Sequence, residues 1–404
     1  MISPSADRFE FVDGLRGFAL FGVFAANLLI FSGIVYLNDA QRAALFASPL
    51  DTIAYSLETF FIENKFMGLF SFLFGVSFWL FLSHAERRGA GGTGLFYRRI
   101  FWLFVIASVH GWVLWCWDIL RFYALWAVLL PLFVRTPPKR LLAVALSCSV
   151  LLPAVITGVK VWFPAPVQPP PHYDALALAV FSTGTFREAL IVNWNYDWFM
   201  TLSVGQIAYQ VAVFGRLLLG LYVGRTFDFG NLERHRPLLR RALLVGGVVG
   251  VIGSTVFAAD LLGSPSSGPV LPFTRRLLTE SGQLGLTLAY ASALGLLFLN
   301  ARWQPVIQWL APVGRMALTW FLFHTIFGIW LFYGYAPGPG LMGQVPPSAL
   351  AIIAVTGYAA QIVIARAWLT RFRFGPAEWL WRSLTYWERQ PFKLSTPAPV
   401  RVQA

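Results

Sequence analysis

The chain has 404 residues, of which 57% are hydrophobic and 17% aromatic, and only 12% are charged. The charged share is about half the usual one, which excludes a single water-soluble core and an intrinsically disordered chain alike. The net charge of +13 reads as membrane topology rather than nucleic-acid binding, because membrane proteins concentrate Lys and Arg in their cytoplasmic loops.

The start, Met1 to Phe11, is polar, and no secretory signal peptide is expected. A membrane-crossing helix needs about 20 mostly apolar residues. Ten segments meet that need: Gly17–Leu37, Phe66–Ser83, Ile100–Trp117, Ile119–Val134, Leu141–Val159, Trp198–Gly224, Ala242–Leu262, Ser281–Asn300, Met316–Tyr333 and Pro347–Ala365. The fourth is short and follows the third almost without a loop. With the N-terminus inside, 23 of the 31 Lys and Arg fall in inner segments, seven in outer ones, and Arg216 inside a span. Deleting the fourth span would put the later Arg-rich loops outside. The expectation is therefore an all-α, polytopic integral membrane helix bundle of about ten transmembrane helices with cytoplasmic N- and C-termini.

Between the first two spans, Asp51–Asn64 alternates apolar and acidic residues as an amphipathic surface helix would. The outer connection Trp162–Asp197 holds a proline-rich run at 164–171 that favours extended chain. Gly263–Glu280 reads as a second outer loop. Glu378 to Arg382 carries the Trp and Arg of a helix lying at the inner interface. One transmembrane domain over 1–387 is expected, with an N-terminal part (8–160), a C-terminal part (198–387) and the connection 162–197 between them; 388–404 reads as a flexible cytoplasmic tail.

Polar groups inside a span are costly and mark candidate sites. Asn27 and His110 each lie roughly 16 Å from the inner surface, and Arg216 and His324 roughly 14 Å, at about 1.5 Å per residue. All four fall near the middle of a hydrocarbon layer about 30 Å thick. Either histidine alone reads equally well as a packing residue, and Asn27 alone reads better as glue between helices. Arg216 has no mid-depth acid in sight and calls for an anion or a wet cavity. Glu58, Glu63, Asn64, Lys65, Asp118, Arg121 and Asp197 cluster at the outer ends. Most are solvated helix ends; Asp118 and Lys65, set against apolar helices, are the better site candidates. No metal-binding spacing and no phosphate-binding or nucleophile-elbow motif occurs. Cys116 and Cys148 lie at different depths, against a bond between them.

At these residues the sequence resembles a known family. Asp13-Gly-Leu-Arg-Gly-Phe-Ala-Leu-Phe-Gly22 followed by Asn27, Lys65 to Gly75, His110 with Asp118-Ile-Leu-Arg-Phe-Tyr123, Gly314 to Thr319, and Gly375 to Tyr386 resemble the YeiB-like bacterial membrane family, which carries domain of unknown function 418. The family usually has Asn-Tyr-Leu after Ala-Leu-Thr and then Gln-Ser two residues later, where this chain has Trp320-Phe-Leu and His324-Thr. The family is similar in turn to the transmembrane acyltransferase superfamily. That resemblance implies a bacterial cytoplasmic-membrane protein taking acyl-coenzyme A as donor and modifying a sugar, lipid or small-molecule acceptor. It implies an acid/base role for His110 with Asn27 nearby. Chemistry fits: a histidine can take the acceptor's proton, an amide can stabilise an oxyanion, and arginines can hold the coenzyme's phosphates.

The expected catalytic residues are His110, Asn27 and Asp118; Arg16, Arg98, Arg99 and Arg216 are expected to hold acyl-coenzyme A, with Arg225 at the same mouth; Lys65, Glu63 and His324 are expected to meet the acceptor. The expected partners are the lipid bilayer, the donor, an acceptor and, as one option, a second copy in a homodimer. Two other readings stand beside this one. A transporter or flippase for a small anion or lipid would use Arg216 as counter-charge, with Gly215 and Gly220 permitting a helix break. A non-catalytic membrane partner would dock through the proline-rich loop.

Overall fold

A computed structural model describes residues 10–87, 92–160, 172–261 and 270–394. The expected proline run at 164–171, Arg8, Arg88 and the end of the tail (395–404) lie outside them. The described residues form helices joined by short turns. In chain order these are α1 (Glu10–Phe31), α2 (Asp39–Leu45), α3 (Pro49–Phe61), α4 (Lys65–Arg87), α5 (Gly92–Val109), α6 (Leu120–Ala127), α7 (Leu130–Phe133), α8 (Pro138–Leu146) and α9 (Leu152–Val159). There follow α10 (Tyr173–Thr183), α11 (Phe186–Leu202), α12 (Val204–Thr226), α13 (Arg236–Leu261), α14 (Val270–Phe298), α15 (Gln304–Arg315), α16 (Ala317–Phe332), α17 (Pro347–Leu369) and α18 (Pro376–Tyr386). The fold is an all-α polytopic bundle.

Among the described residues, eight helical stretches are long and apolar enough to cross a membrane, or nine if α15 and α16, bent by 73°, count as one. The fourth expected span is the exception to a single helix. Pro131 has no N–H to give the Ala127 carbonyl, so the helix breaks at Val128–Leu129 into α6 and α7. The chain still runs the length of α12. Arg121 meets Asp197 and Thr201 at the end of α11, just before α12 begins; Trp126 stacks on Phe214 of α12 at 5.0 Å, and Arg225 near the end of α12 donates to the Thr136 carbonyl at 2.8 Å.

Other boundaries differ from expectation. Ser203 ends α11 and caps α12 through its hydroxyl, so Trp198–Leu202 belongs to an earlier helix than the sixth expected span. The connection before it is helical from Tyr173 onward. Helix α14 starts at Val270 rather than Ser281, which turns much of the expected loop Gly263–Glu280 into helix. The break that Gly215 and Gly220 would permit under the transporter reading is absent, and α12 is continuous there. Gly220 serves packing: a Cβ there would lie 2.0 Å from the Phe72 carbonyl oxygen, so only glycine lets α4 and α12 touch backbone to backbone. Gly314 does the same between α15 and α1, 1.9 Å from the Asp13 carbonyl oxygen.

The exposed faces are apolar, as a bilayer demands. Helix α13 presents Leu244, Val245, Val248 and Ile252, and α3 presents Leu50, Ile53, Leu57 and Phe61 along one stripe. Ser48 caps α3 with Asp51 answering, and Asp51 reaches on to Ser348 at the start of α17. Inside, two apolar cores form. One centres on α4, α5, α6 and α12 and includes Ile119 and Phe321; the other centres on α1, α16 and α17 and includes Trp115 and Trp320. The candidate site lies on the seam between them.

Candidate functional site

His110 opens a π-helical turn, His110–Leu114, that ends α5. Such turns change the aim of a side chain and recur at functional sites. The His110 Nδ1 lies 2.6 Å from Asp118 Oδ2, and its Nε2 lies 2.9 Å from the Thr325 hydroxyl on α16. His110 is 2% exposed, Asp118 1% and Thr325 0%. A carboxylate only accepts, so Nδ1 carries the ring proton. In the neutral ring Nε2 then offers a lone pair, to which the Thr325 hydroxyl can donate.

The carboxylate is itself held. Asp118 Oδ1 accepts the Arg121 backbone N–H at 2.8 Å. The Arg121 guanidinium grips Asp197 of α11 with both terminal nitrogens, one at 3.0 Å, and Trp112 donates to the same carboxylate at 3.1 Å. A buried relay thus runs from Thr325 to His110 to Asp118, braced by Arg121 and Asp197.

Asn27 faces this seam from α1. Phe24, one turn earlier, stacks on His324 at 4.5 Å, and Phe31, one turn later, stacks on Trp115 at 4.3 Å. Both Asn27 amide atoms are buried without a hydrogen-bond partner among the described residues, as are the Trp115 indole N–H and the Ser108 hydroxyl. Buried amides are nearly always paired, by protein or by water. His324 turns away from His110: its Nε2 meets the Gln361 amide oxygen of α17 at 3.0 Å.

Arg216 does not join this group. No acid is expected at its depth from the sequence, because Glu280 ends the expected outer loop Gly263–Glu280. With α14 starting at Val270, Glu280 sits about 15 Å into a helix. Arg216 Nη2 donates to Glu280 at 2.8 Å and to Gln283 at 3.0 Å, and Arg276 pairs with Glu280 at 2.5 Å. Arg216 Nε and Nη1 have no hydrogen-bond partner among the described residues. Lys65 belongs to this side as well. Its Nζ donates to the Thr59 carbonyl at 2.6 Å and lies over the Phe257 ring, while its own carbonyl accepts from Thr287. Half-buried Glu63 stands within range of the Lys65 charge. Buried Tyr123 separates the two groups, within range of both the Arg216 and the Asp118 charges.

At the end of the bundle where α1 starts, Arg16 pairs with Asp13 at 2.5 Å and donates to Ser77 at 2.8 Å. Arg99 lies over the Trp381 ring at 3.6 Å, within range of the Arg16 and Arg382 charges. Three arginines therefore converge here from α1, α5 and α18. Arg98 points about 100° round the helix from Arg99. Arg225 is spent on the Thr136 carbonyl. Helix α18 docks through Glu378, which accepts the Leu318 and Thr319 N–H groups at 2.6 and 3.0 Å and caps α16. Burial raises the Glu378 carboxyl pKa, against the pull of its Thr319 and Leu318 donors.

At the opposite end a cleft of about 990 Å³ opens between Tyr36, Asn38, Gln41, Asp174 and Tyr196. Tyr36 accepts from the Trp117 indole at 3.2 Å, and Trp117 immediately precedes Asp118 in the chain. Sequence reasoning missed Thr325, Glu280, Gln283, Gln361 and the capping role of Glu378. The two glutamines were visible as amides in apolar helices; Thr325 gave no signal, since threonine is ordinary there.

A family described as protein of unknown function (DUF418) matches residues 223–388, from the end of α12 through α18. The uncharacterised protein YxaH of Bacillus subtilis (strain 168) is 30% identical over 96% of this chain and 97% of its own. An uncharacterised 39.9 kDa protein in the amylase 3′ region of Bacillus acidopullulyticus is 28% identical over 97% of this chain and 98% of its own. The uncharacterised protein YeiB of Escherichia coli (strain K12) is 26% identical over 93% and 95%.

Proposed function

Starting from a chain that belongs to the DUF418 family of proteins of unknown function, we propose that it is an acyltransferase-like protein of the bacterial cytoplasmic membrane. It moves an acyl group from cytosolic acyl-coenzyme A to a sugar, lipid or small-molecule acceptor at or across the membrane. The observation that carries this reading is the buried Asp118–His110–Thr325 relay. Asp118 fixes the tautomer, which leaves Nε2 free to take a hydroxyl proton, the requirement for a general base. Unpartnered Asn27 supplies a donor for the oxyanion that forms when the acyl carbonyl is attacked.

Acyl-coenzyme A is a substrate with several phosphates. Arg16, Arg99 and Arg382 at the α1 end offer cationic groups for them. The cleft beside Tyr36 at the opposite end offers the acceptor a way in. A transporter reading rests on an uncompensated Arg216, and the Glu280 ion pair removes that reason for it.

Calorimetry with acyl-coenzyme A and the purified full-length protein tests the reading. The wild type and His110→Ala bind the donor alike, and only the wild type forms acylated product. A wild type that binds no acyl-coenzyme A would overturn it.

A further inference from the structure

The base in this site already holds a hydroxyl of the protein's own. Thr325 Oγ1 sits 2.9 Å from His110 Nε2, and Asp118 holds the far nitrogen at 2.6 Å. This is the nucleophile–base–orienter arrangement that activates a side-chain hydroxyl. A threonine that merely packed would need none of it; its hydroxyl could return to the carbonyl one turn back, as Ser71 does to Met67 and Thr356 does to Ile352. Thr325 instead crosses between α16 and the end of α5. An incoming acceptor hydroxyl would have to displace it to reach Nε2.

We propose that Thr325 is the first acyl acceptor, so that transfer runs through a covalent threonyl ester. The proposal rests on the acyl-transfer reading above and adds an intermediate to it. Thr325 Oγ1 attacks the thioester carbonyl carbon, a C–O bond forms, and the hydroxyl proton passes to His110 Nε2. The C–S bond then breaks, and the departing sulfur takes that proton and leaves as free thiol. In the second half, the acceptor's hydroxyl gives its proton to His110 and attacks the ester carbon. The bond to Thr325 breaks, and the proton returns to the threonine oxygen. Each half conserves charge and needs no oxidant or reductant. Asn27, Trp115 and Ser108 are the buried donors, without partners among the described residues, on the elements that frame the tetrahedral centre. The double displacement also suits a site on the seam of two cores, because donor and acceptor need not occupy it together.

The probe is acetyl-coenzyme A carrying a labelled acetyl group, mixed with the purified full-length protein and quenched before turnover is complete. Peptide mass spectrometry of the wild type is expected to find the acetyl ester on Thr325, at up to one per chain. Thr325→Ser keeps the label on the same position, whereas Thr325→Val loses it and releases coenzyme A at least about a hundredfold more slowly. A Thr325→Val protein that is monodisperse and releases coenzyme A at the wild-type rate overturns the intermediate and leaves the acyl-transfer reading standing. So does a wild type that turns over with its label on His110 or on no residue. A wild type that neither binds nor cleaves acetyl-coenzyme A overturns both.

Discussion

Two buried polar groups lie on either side of Tyr123, and they handle desolvation differently. Around His110 the central links join an imidazole to a carboxylate and a hydroxyl, groups that can exchange a proton, and a directed ion pair between Arg121 and Asp197 braces them. Around Arg216 the groups are permanent ions, a guanidinium against Glu280 with Arg276 behind it. A histidine can lose or gain charge at neutral pH, which suits it to chemistry; an arginine cannot and must be neutralised where it stands. The contrast teaches that mid-depth polarity alone does not mark a reactive site. In the proposed reading, what marks it is a titratable group with one nitrogen fixed and the other turned to a hydroxyl.

The comparison breaks most visibly through stability on the Arg216 side. Arg216→Met leaves Glu280 to Arg276 alone and is expected to cost about 3–5 kcal/mol. Replacing Arg216 and Glu280 together by apolar residues restores most of that. Thermal unfolding in detergent checks both, and an unchanged midpoint in the single variant would show that the ion pair holds nothing. On the His110 side the loss is in rate. Asp118→Asn, which frees the ring tautomer, is expected to slow coenzyme A release by at least about a hundredfold, or about 2.7 kcal/mol of barrier.

Asn27→Leu separates the two kinds of effect within one residue. It removes a buried amide that bonds to no described residue, so stability should hold or rise by up to about 1–3 kcal/mol. Turnover should nonetheless fall, by up to about a hundredfold. A loss of stability without a loss of rate would make Asn27 a packing residue.

The smallest effect belongs to Glu378. Burial raises its pKa, so the folded protein holds that proton more tightly than the unfolded chain does. Its contribution is present at acid pH and lost as the pH rises through the raised value. Oε2 accepts from the Thr319 hydroxyl while Oε1 keeps both backbone donors. Glu378→Gln should flatten this slope in unfolding midpoints measured across pH, whereas a slope equal to the wild type's would place the titration elsewhere.

Much of the bundle was legible because a bilayer demands long apolar helices and sorts basic residues to one side. Asn27, His110 and Asp118 were legible because polarity at depth is costly. The Arg216 reading failed for a local reason: Pro-Gly-Ser composition just before Val270 pulled the expected helix start past Glu280, and eleven residues of α14 went unseen. Thr325 was beyond reach because its meaning lies in a partner 215 positions away. Pro131 accounts for the α6–α7 break, yet the continuing traverse beside α12 shows in the Trp126 and Arg225 contacts. Glu378 sat in a recognisable motif, but nothing in that motif says that its carboxylate caps α16.

The most direct test of the account is coenzyme A release from acetyl-coenzyme A by full-length protein in liposomes, comparing wild type with His110→Ala at matched folding. Release that falls by at least about a hundredfold in the variant is the predicted result. Equal release from the two proteins would contradict the account, because it would remove His110 from the reaction.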